Sequence, residues 1–403
     1  MTAPEIPVFR GSFTQQEPIS ETAIEQAVAV MRTGRLHRYN VAEGETSQTN
    51  LLETEFAESL GMSYCLACAS GGYALHVALK ALGIQPGQKV LTNAFTLSPV
   101  PGAIHNAGGS PVLVETTESL VLDLVDLERK ILASGAKVLM LSHMRGHLVD
   151  MDALMQVLSD HDVALVEDCA HTMGASWNGK ASGTYGIVSC FSTQTYKHIN
   201  SGEGGLLVSN DEALMARATL MSGSYMLYAN HDAAPDESFF DSHKYETPNY
   251  SGRMDNLRAA ILRPQLSALS ENVDRWNKRY RVLENALAGV NNLHVPPRPD
   301  KELFVGSSLQ FLVEDLDNSD AQTFVDTCAQ HGVSIKWFGA PEPHGYTSRF
   351  DSWHYLDAGD LPRSKQILSE LFDIRIPLSI SVSDYELIGN IIAASLRSVR
   401  HRT

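Results

Sequence analysis

The sequence predicts an α/β fold with three layers, in which a mostly parallel or mixed sheet lies between helices, followed by a smaller α+β domain. From residue 63 to about residue 221, short apolar runs alternate with amphipathic stretches of helical spacing. Such alternation is typical of a parallel sheet covered on both faces. From about residue 291 the pattern changes to strand, helix, strand and a final helix. We therefore expect a large domain over residues 1–265 and a smaller one over residues 266–403.

Composition limits the possible functions. The chain has 403 residues, a net charge of -16 and 43% apolar residues, enough for the cores of two domains. The negative charge argues against a nucleic-acid-binding surface, which needs clustered Lys and Arg. We find neither a signal peptide nor an apolar run of about 18 residues, so we expect no membrane contact. The five cysteines are an odd number, and the Cys65–Cys68 CxxC has no second CxxC or CxxH at zinc-finger spacing. This favours reduced thiols, no metal site and a cytoplasmic protein.

The N-terminal part begins with a predicted helix, SETAIEQAVAVMR, that ends at a Thr-Gly pair. A polar segment without periodicity follows, GRLHRYN, and its Arg38 and Tyr39 are candidate substrate contacts. Residues 50–60 predict a second helix, and SYCLACAS predicts a short apolar strand. Ser70, Gly71 and Gly72 then open a third helix, YALHVALKAL. A glycine turn at a helix N-terminus is a candidate anion site, because its free N–H groups and the helix dipole favour negative charge.

The next elements form the regular alternation. Strands are predicted over KVLTNAF, SPVLVE, KVLMLSHM and VALVEDC, and helices over SPVPGAIHNAG, VDLERKILASG and MDALMQVLSDH. Ligands of such sheets bind at the carboxyl ends of the strands. His143, Arg145 and Asp168 lie at these ends, as does the turn that begins at Ser70.

One lysine and one acid stand out in the following stretch. Lys197 lies in the loop between two predicted strands, GIVSCFST and GGLLVSN. The strand before these two, VALVEDC, contains the acid pair Glu167 and Asp168 near its end. A lysine that can form a Schiff base and an acid that can lie under a pyridinium nitrogen are the groups that pyridoxal phosphate chemistry most needs. His171 and Ser192 lie close by in the sequence.

The remainder begins with a predicted helix from residue 211 to 221 and a long, largely polar segment, residues 222–249. A loop of that length in a compact domain is usually functional or interfacial. Two helices follow, MDNLRAAILRPQLSAL and ENVDRWNKRYRVLENAL. The smaller domain is predicted as strand LQFLVED, helix AQTFVDTCAQHG, strand SIKWFG, a loop, and helix SDYELIGNIIAASLRSV.

The order of these pieces resembles the sugar aminotransferases of the DegT/StrS type, which are pyridoxal-phosphate enzymes of the aspartate aminotransferase fold. The resemblance spans nearly the whole chain. It rests on TGRLHRYN, LETEFAESLG, ASGGYALHVAL, GHLVDMDAL, VEDCAHTMGASWNGKASGTYG, FSTQTYKHINSGEGG, GRMDNLRAAILRPQL and RSKQILSELFDIRIPLSISVSDYELI.

This resemblance implies a role for each matching residue. Lys197 would carry the cofactor as a Schiff base, Asp168 would pair with the pyridine nitrogen, and His171 would lie near the ring. Ser192 and the amides of Gly71 and Gly72 would hold the phosphate. The resemblance also implies a homodimer with shared active sites, in which Asn249 or Ser251, with Arg253 nearby, reaches the cofactor of the partner.

The chain departs from the family pattern at several positions. Ser70-Gly71-Gly72 replaces the usual Ser-Gly-Thr, which removes one hydroxyl from the phosphate site. Leu97 stands where an aromatic residue usually stacks on the ring, so either Phe95 or the leucine itself would serve. The stretch KWFGAPEPHGYTSRFDSWHY also differs from the sugar-binding pattern. These differences concern the substrate more than the cofactor.

The sequence therefore predicts an aminotransferase that uses glutamate or glutamine to aminate a keto sugar, a nucleotide keto sugar or a cyclitol in a biosynthetic pathway. Arg38, Arg145, Ser251 and Arg253 are candidate substrate contacts, and an arginine fork suits both carboxylates and phosphates. A pyridoxal-phosphate enzyme or lyase acting on another carbonyl compound, and a relative without activity, are the alternatives. Family members that dehydrate sugars have histidine in place of the lysine, so Lys197 favours amino transfer.

Overall fold

The computed structural model describes residues 6–345 and 349–400. Its first nine strands belong to the first two thirds of the chain. They are β1 (Tyr64–Cys68), β2 (Lys89–Asn93), β3 (Ser110–Val114), β4 (Val138–Ser142), β5 (Ala164–Asp168), β6 (Ser176–Trp177), β7 (Lys180–Ala181), β8 (Val188–Ser192) and β9 (Gly205–Ser209). Seven of them form the central sheet in the order β1-β9-β8-β5-β4-β2-β3. The strands predicted from the apolar runs are therefore present, with bounds that differ by at most two residues.

The central sheet is mostly parallel, as predicted. Only β9 runs against its neighbours: it pairs antiparallel with both β1 and β8, whereas the pairs from β8 to β3 are parallel. The carboxyl ends of β4, β5 and β8 consequently meet at one edge, since Ser142 is paired with Asp168, and Asp168 with Cys190. The residues that follow these three strands are brought together by this pairing.

Thirteen helices lie within the described ranges. They are α1 (Glu21–Thr33), α2 (Gln48–Leu60), α3 (Gly71–Leu82), α4 (Pro99–Asn106), α5 (Leu124–Ser134), α6 (Met151–Asp160), α7 (Glu212–Ser222), α8 (Glu237–Asp241), α9 (Asn256–Ser267), α10 (Leu269–Leu287), α11 (Asn318–Gln330), α12 (Pro362–Glu370) and α13 (Val382–Arg400). The predicted helix starts are explained by capping, because Ser20 and Ser47 each accept a hydrogen bond from the first turn. None of these helices is long and apolar enough to cross a membrane.

Helices cover both faces of the central sheet. Alternate residues of β1 enter different cores: Leu66 and Cys68 pack with α3 on one face, whereas Cys65 and Ala67 pack with α2 on the other. The period of two explains why the strands are apolar throughout, since each face of the sheet is buried. The three-layer arrangement predicted from the sequence is confirmed.

The C-terminal part contains a second, antiparallel sheet. Its strands are β10 (Leu293–His294), β12 (Ser308–Val313), β13 (Lys336–Trp337) and β14 (Leu371–Arg375), in the order β10-β12-β14-β13. A further short strand, β11 (Glu302–Leu303), pairs with β6 and so links the two parts of the chain. The division at residue 265 stays a prediction.

The prediction of a loop before the final helix is wrong, because the stretch before that helix contains α12 and β14. Strand β14 has the sequence LFDIR, and its Asp373 is only 3% exposed although it is charged. A buried carboxylate interrupts the apolar run that would otherwise mark a central strand, and the strand follows α12 without an intervening turn. The segment from residue 222 to 249 was predicted as a long loop. It has little regular structure, since it contains a short 3-10 turn and the five-residue helix α8.

Candidate active site

Lys197 is held in a closed loop between β8 and β9. The backbone of Thr193 pairs with Gly204 and that of Thr195 with Gly202, which draws the two ends of the loop together. Gly204 has a φ of +153°, and a Cβ atom there would lie 2.2 Å from Oγ1 of Thr193, so the closure requires glycine. The glycine cluster seen in the sequence therefore positions the lysine.

The amine of Lys197 contacts an imidazole ring. Its Nζ atom lies 2.8 Å from Nε2 of His171. Nδ1 of the same ring accepts a hydrogen bond from the backbone N–H of Arg145, at 3.4 Å. A neutral ring that accepts at Nδ1 carries its proton on Nε2, and this N–H can donate to the uncharged form of the lysine amine.

The electrostatics of the site agree with this assignment. Burial, followed by the positive charges of Arg145 and then Arg375, lowers the pKa of Lys197 to about 7, although Asp168 acts in the opposite direction. Burial and the neighbouring Lys197 hold the pKa of His171 well below its ordinary value. Lys197 is therefore available as a free base near neutral pH.

Of the two adjacent acids, Asp168 faces the site and Glu167 has a structural task. Asp168 is 7% exposed, and its carboxylate accepts hydrogen bonds from Oγ of Ser142, at 2.8 Å, and from the N–H of Ala170, at 3.2 Å. Glu167 is completely buried and accepts from backbone N–H groups of residues 183, 185 and 186 and from His143. The carboxylate of Asp168 is thus oriented by two donors while it remains beside Lys197.

The start of α3 packs directly against the ends of β8 and β9. A Cβ atom at Gly71 would lie 2.8 Å from Cβ of Ser192, and one at Gly205 would lie 2.5 Å from the carbonyl carbon of Ser70. The amides of Gly71 and Gly72 belong to the first turn of the helix and have no acceptor within it. The hydroxyl of Ser192 lies beside these amides, so together they form a cradle of donors that fits a phosphate.

Phe95 and Leu97, the two candidates for the apolar residue facing the ring, differ in their exposure. Phe95 is completely buried and packs edge-to-face against Phe338, with ring centroids 5.2 Å apart. It cannot stack on a ligand without leaving this core. Leu97 is partly exposed and packs at the edge of the same core, so it is the apolar side chain that remains available.

Arg38 and Tyr39 belong to a buried network instead of an open substrate site. Arg38 is 2% exposed, and its guanidinium makes two hydrogen bonds to Glu53, of 2.8 and 2.7 Å. His231 contacts both Arg38, at 3.0 Å, and the hydroxyl of Tyr39, at 2.7 Å. The fork of Arg38 is therefore used by Glu53, and substrate binding by Arg38 or Tyr39 stays a prediction.

Asn249, Ser251 and Arg253 form a separate cluster on the surface. Oδ1 of Asn249 accepts from the N–H of Ser251, and Oγ of Ser251 accepts from Arg253, at 2.8 and 3.0 Å. Arg253 also donates to the carbonyl of Gly223 and lies over the ring of Tyr225. Among the described residues, none of these three hydrogen-bonds with Lys197, Asp168 or Ser192 of the same chain.

Arg145 reaches the site as expected, and it is accompanied by residues that the sequence analysis missed. It is 8% exposed, and its guanidinium makes an ion pair of 2.8 Å with Asp373 of β14. Arg375 lies over the ring of Tyr196, which precedes Lys197, at 3.7 Å. Ser142 was missed because a serine at the end of a strand belongs to no recognisable sequence motif. Asp373 and Arg375 were missed because β14 was predicted as a loop. Of the atypical C-terminal stretch, residues 346–348 lie outside the described ranges.

The residues of the site fit pyridoxal phosphate. The donor cradle suits a phosphate, the carboxylate of Asp168 suits a protonated ring nitrogen, and the amine of Lys197, with its lowered pKa, suits an aldehyde. Glycine is required where α3 meets the strand ends, so the cradle is built into the packing. The arrangement can therefore bind an anionic aromatic aldehyde and move a proton at Lys197.

Comparisons with known proteins agree with this description. A family model described as the DegT/DnrJ/EryC1/StrS aminotransferase family matches residues 18–393. GDP-perosamine synthase of Caulobacter vibrioides is 31% identical over 246 residues, which are 61% of this chain and 63% of that protein. 3-amino-5-hydroxybenzoate synthase of Amycolatopsis mediterranei is 30% identical over 71% of this chain and 72% of its own length. The chain thus spans less than two thirds of the first of these relatives.

Solved structures share the fold over nearly the whole chain. The aminotransferase TlmJ from Streptoalloteichus hindustanus superposes with a TM-score of 0.81 at 21% identity, covering 96% of this chain and 99% of that one. The aminotransferase from Psychrobacter cryohalolentis gives a TM-score of 0.81 at 20% identity, covering 96% and 100%. With the family model matching most of the residues, the chain belongs to the DegT/DnrJ/EryC1/StrS aminotransferase family.

Proposed function

We propose that this protein is a pyridoxal-phosphate-dependent aminotransferase. It transfers an amino group from glutamate or glutamine to a keto sugar, a nucleotide keto sugar or a keto cyclitol. The observation that carries the proposal is the position of Lys197, whose amine contacts His171 and lies beside Asp168 and the phosphate cradle at one edge of the central sheet. Family membership supports the reaction type.

Each site residue has a task in this reaction. When bound, pyridoxal phosphate supplies an aldehyde that accepts the amino group and a ring that withdraws electrons. Ser192 and the amides of Gly71 and Gly72 hold the phosphate, and Asp168 keeps the ring nitrogen protonated. Leu97 supplies an apolar surface for the ring. Lys197 is the residue to which the cofactor attaches.

Lys197 also moves the proton. With a pKa of about 7, its amine can take a proton from a carbon atom and return it to a neighbouring atom at neutral pH. His171 orients the amine through the 2.8 Å hydrogen bond and, being neutral, does not protonate it. Lys197 is only partly exposed, which limits the access of water to its amine.

The proposed substrates are taken from the named relatives. They include GDP-perosamine synthase and an enzyme named as L-glutamine:3-amino-2,3-dideoxy-scyllo-inosose aminotransferase, which is 34% identical over 54% of this chain. The second name supports glutamine as a donor and a cyclitol as an acceptor. A reaction on a carbonyl compound outside the sugars is the alternative, and 3-amino-5-hydroxybenzoate synthase supports it.

We further propose a cytoplasmic homodimer with shared sites. Large apolar side chains are exposed on the segment after α7, including Tyr225, Met226 and Leu227, which are 59%, 55% and 43% exposed. The polar cluster of Asn249, Ser251 and Arg253 borders this surface. A second subunit that covers the apolar side chains would receive these polar groups at its own site. The five described cysteines are buried free thiols, which suits a reducing compartment.

The experiment that tests the function uses the purified protein loaded with pyridoxal phosphate. Reduction with borohydride and peptide mass analysis should find the reduced cofactor on Lys197. Glutamate or glutamine should then convert the absorbance of the unreduced protein from the pyridoxal to the pyridoxamine form, and a panel of keto sugars and cyclitols should reverse it. Label on Lys180, or no spectral change with any amino acid, would contradict the proposal.

A further inference from the structure

A left-handed turn follows β4 and borders the cleft that contains Lys197. Arg145 has a φ of 56° and a ψ of 22°, and Gly146 after it has a φ of 79°. This conformation is ordinary for glycine but strained for arginine, because the Cβ atom then crowds the following carbonyl oxygen. Such strain persists only where the surrounding contacts maintain it, and it is frequent at functional sites. We call residues Met144–Gly146 the left-handed turn.

The conformation of the turn directs the main chain of Arg145 at His171. Its N–H donates to Nδ1 of His171 at 3.4 Å, and Nε2 of the same ring lies 2.8 Å from Nζ of Lys197. The approach is close, since a Cβ atom at Gly146 would lie 3.1 Å from the carbonyl oxygen of His171. A main-chain N–H can only donate, whereas a nitrogen of a neutral imidazole can donate or accept. The N–H of Arg145 therefore keeps the ring proton on Nε2, which faces the lysine.

The side chain of Arg145 anchors the turn to the C-terminal sheet. Its Nη2 lies 2.8 Å from Oδ2 of Asp373, and the two side chains are only 8% and 3% exposed. Oδ1 of Asp373 accepts a hydrogen bond from Nε2 of Gln310 at 2.7 Å, and Oε1 of Gln310 lies 2.8 Å from Nε2 of His147. Asp373 and Gln310 are paired residues of β14 and β12. Because both oxygens of the carboxylate are bonded, the position of the guanidinium is well defined.

The far end of the turn is fixed separately. The carbonyl oxygen of Gly146 accepts from Nη1 of Arg298 at 2.7 Å, and the N–H of Gly146 donates to the carbonyl oxygen of His143 at 3.0 Å. Neither of these contacts involves the N–H of Arg145. The direction of that N–H consequently depends on the backbone conformation of Arg145 itself, which the ion pair with Asp373 holds in the left-handed region.

We propose that Arg145 is a positioning residue for Lys197: its main-chain N–H sets the tautomer of His171, and its side chain, held by Asp373, maintains the conformation that this requires. The proposal rests on the aminotransferase function, in which Lys197 acts as a free amine. A ring that donates at Nε2 favours the uncharged amine, whereas a ring that accepts at Nε2 favours the charged one. This role needs no contact between Arg145 and the substrate.

The charge of Arg145 acts in the same direction as its main chain. Burial, followed by Arg145, lowers the pKa of Lys197 to about 7, while Asp168 raises it and Arg375 lowers it. His198 is the other titratable neighbour, and it is buried beside the lysine. Asp168, Arg375 and His198 stay the same in any variant of Arg145. Two uncharged replacements of Arg145 therefore differ only in what they do to the main chain.

The first test compares Arg145→Gly with Arg145→Met, which remove the same charge and the same anchor. Glycine adopts the left-handed conformation without strain and should keep its N–H on His171, whereas methionine should leave that conformation. NMR of isotope-labelled histidine in the full-length, cofactor-free protein reads the tautomer, and His171→Gln identifies the signal. We expect the ring proton on Nε2 in the wild type and in Arg145→Gly, but largely on Nδ1 in Arg145→Met. Acetylation of Lys197 at several pH values, followed by peptide mass analysis, should give a pKa about one unit higher in Arg145→Met than in Arg145→Gly.

A second pair of variants disturbs the turn while Arg145 stays in place. Gly146→Ala introduces a Cβ atom 3.1 Å from the carbonyl oxygen of His171 and should move the ring proton as Arg145→Met does. Gly179→Ala is the matched control: its φ of +81° is nearly the same, but no atom lies within 4 Å of the added Cβ atom. It should leave the tautomer of His171 unchanged. Each pair of variants tests the proposal independently of the other.

The outcomes separate the positioning role from the proposed function. An equal tautomer of His171 and an equal pKa of Lys197 in Arg145→Gly and Arg145→Met, with no change in Gly146→Ala, would overturn the positioning role and leave the aminotransferase reaction untouched. The expected changes of the ring proton, in a protein whose wild type converts no keto acceptor with glutamate or glutamine, would keep the positioning role and overturn the function.

Discussion

Nζ of Lys197 lies 2.8 Å from Nε2 of His171, whose other ring nitrogen accepts a hydrogen bond from the backbone of Arg145. This chain of contacts determines the proton positions, because a ring that accepts at Nδ1 donates at Nε2. Burial and the charge of Arg145 lower the pKa of the lysine, so the free amine forms near neutral pH. Its proton affinity is the property on which the proposed chemistry depends, and it can be measured without any substrate.

We predict that Lys197→Met stabilises the cofactor-free protein in a pH-dependent way. The pKa of Lys197 is lowered from 10.5 to about 7 in the folded chain. The cost of burying the amine is therefore fully present below about pH 7 and disappears as the pH rises towards the unfolded value. The gain in unfolding free energy of Lys197→Met should shrink between about pH 7 and pH 9, by at most about 1.4 kcal/mol per pH unit. Urea denaturation at several pH values measures it.

Lys365→Met is the matched control, since Lys365 is exposed on α12. Its effect on the unfolding free energy should be small and independent of pH over the same range. A gain for Lys197→Met that stays constant from pH 7 to pH 9 would show that the amine is an ordinary charged lysine in the folded protein.

We predict that Asp168→Asn leaves the fold intact and lowers turnover on the order of a hundredfold or more. Asparagine has nearly the same shape and keeps an oxygen that accepts from Ser142, but it has no charge to keep a ring nitrogen protonated. Steady-state kinetics with glutamate and a keto acceptor measure the loss, and thermal melting checks the fold. Ser142→Ala removes only the orienting hydroxyl and should cost far less. Turnover close to that of the wild type in Asp168→Asn would assign the ring nitrogen to another residue.

We predict that Glu53→Gln lowers the unfolding free energy by about 3–5 kcal/mol, because it leaves the buried guanidinium of Arg38 without its counter-ion. Side chains of this pair are 1% and 0% exposed. The pair of Arg35 and Glu45 is the matched control, since its side chains are 31% and 54% exposed. Glu45→Gln should change the unfolding free energy by less than about 1 kcal/mol. Equal effects of the two substitutions on the denaturation midpoint would contradict the structural task of Arg38.

The residues of the site that the sequence predicted are those whose position follows from a strand end or a glycine turn. Asp168 and Ser192 end β5 and β8, and the order of the sheet brings these ends together. Gly71 begins α3, where the packing against Ser192 excludes a side chain. For these residues, the local sequence pattern is therefore sufficient to predict the position in the fold.

Other residues could not be predicted, because their environment is created by distant parts of the chain. Arg38 lies in a polar segment and was predicted as a substrate contact, but Glu53 of α2 and His231 bind its guanidinium in the fold. Arg375 lies in β14, whose charged residues interrupt the apolar pattern by which a strand is predicted. The pairing of β14 with β12 brings Arg375 to the cleft that contains Lys197. A charged residue that is buried beside its partner cannot be distinguished, in sequence, from one that is solvated.

The question of shared sites concerns the surface cluster of Asn249, Ser251 and Arg253. These residues are bonded to one another and lie apart from the contacts of Lys197 in their own chain. Apolar residues such as Tyr225 are exposed beside them. Both observations are explained if the cluster enters the site of a second subunit, where it would provide a polar wall for the substrate.

We predict that an inactive Lys197→Ala chain and an inactive Arg253→Ala chain restore activity when their subunits exchange. In a mixed dimer with shared sites, the intact lysine of one chain meets the intact Arg253 of the other, so one site of two is wild type. Activity should return towards half of the wild-type value per mixed dimer. Mixing Lys197→Ala with Asp168→Ala is the control, since both residues serve the same chain's site and every mixed dimer then has one defect in each site. Recovery in neither mixture, despite exchange proven by native mass spectrometry, would show that each chain completes its own site.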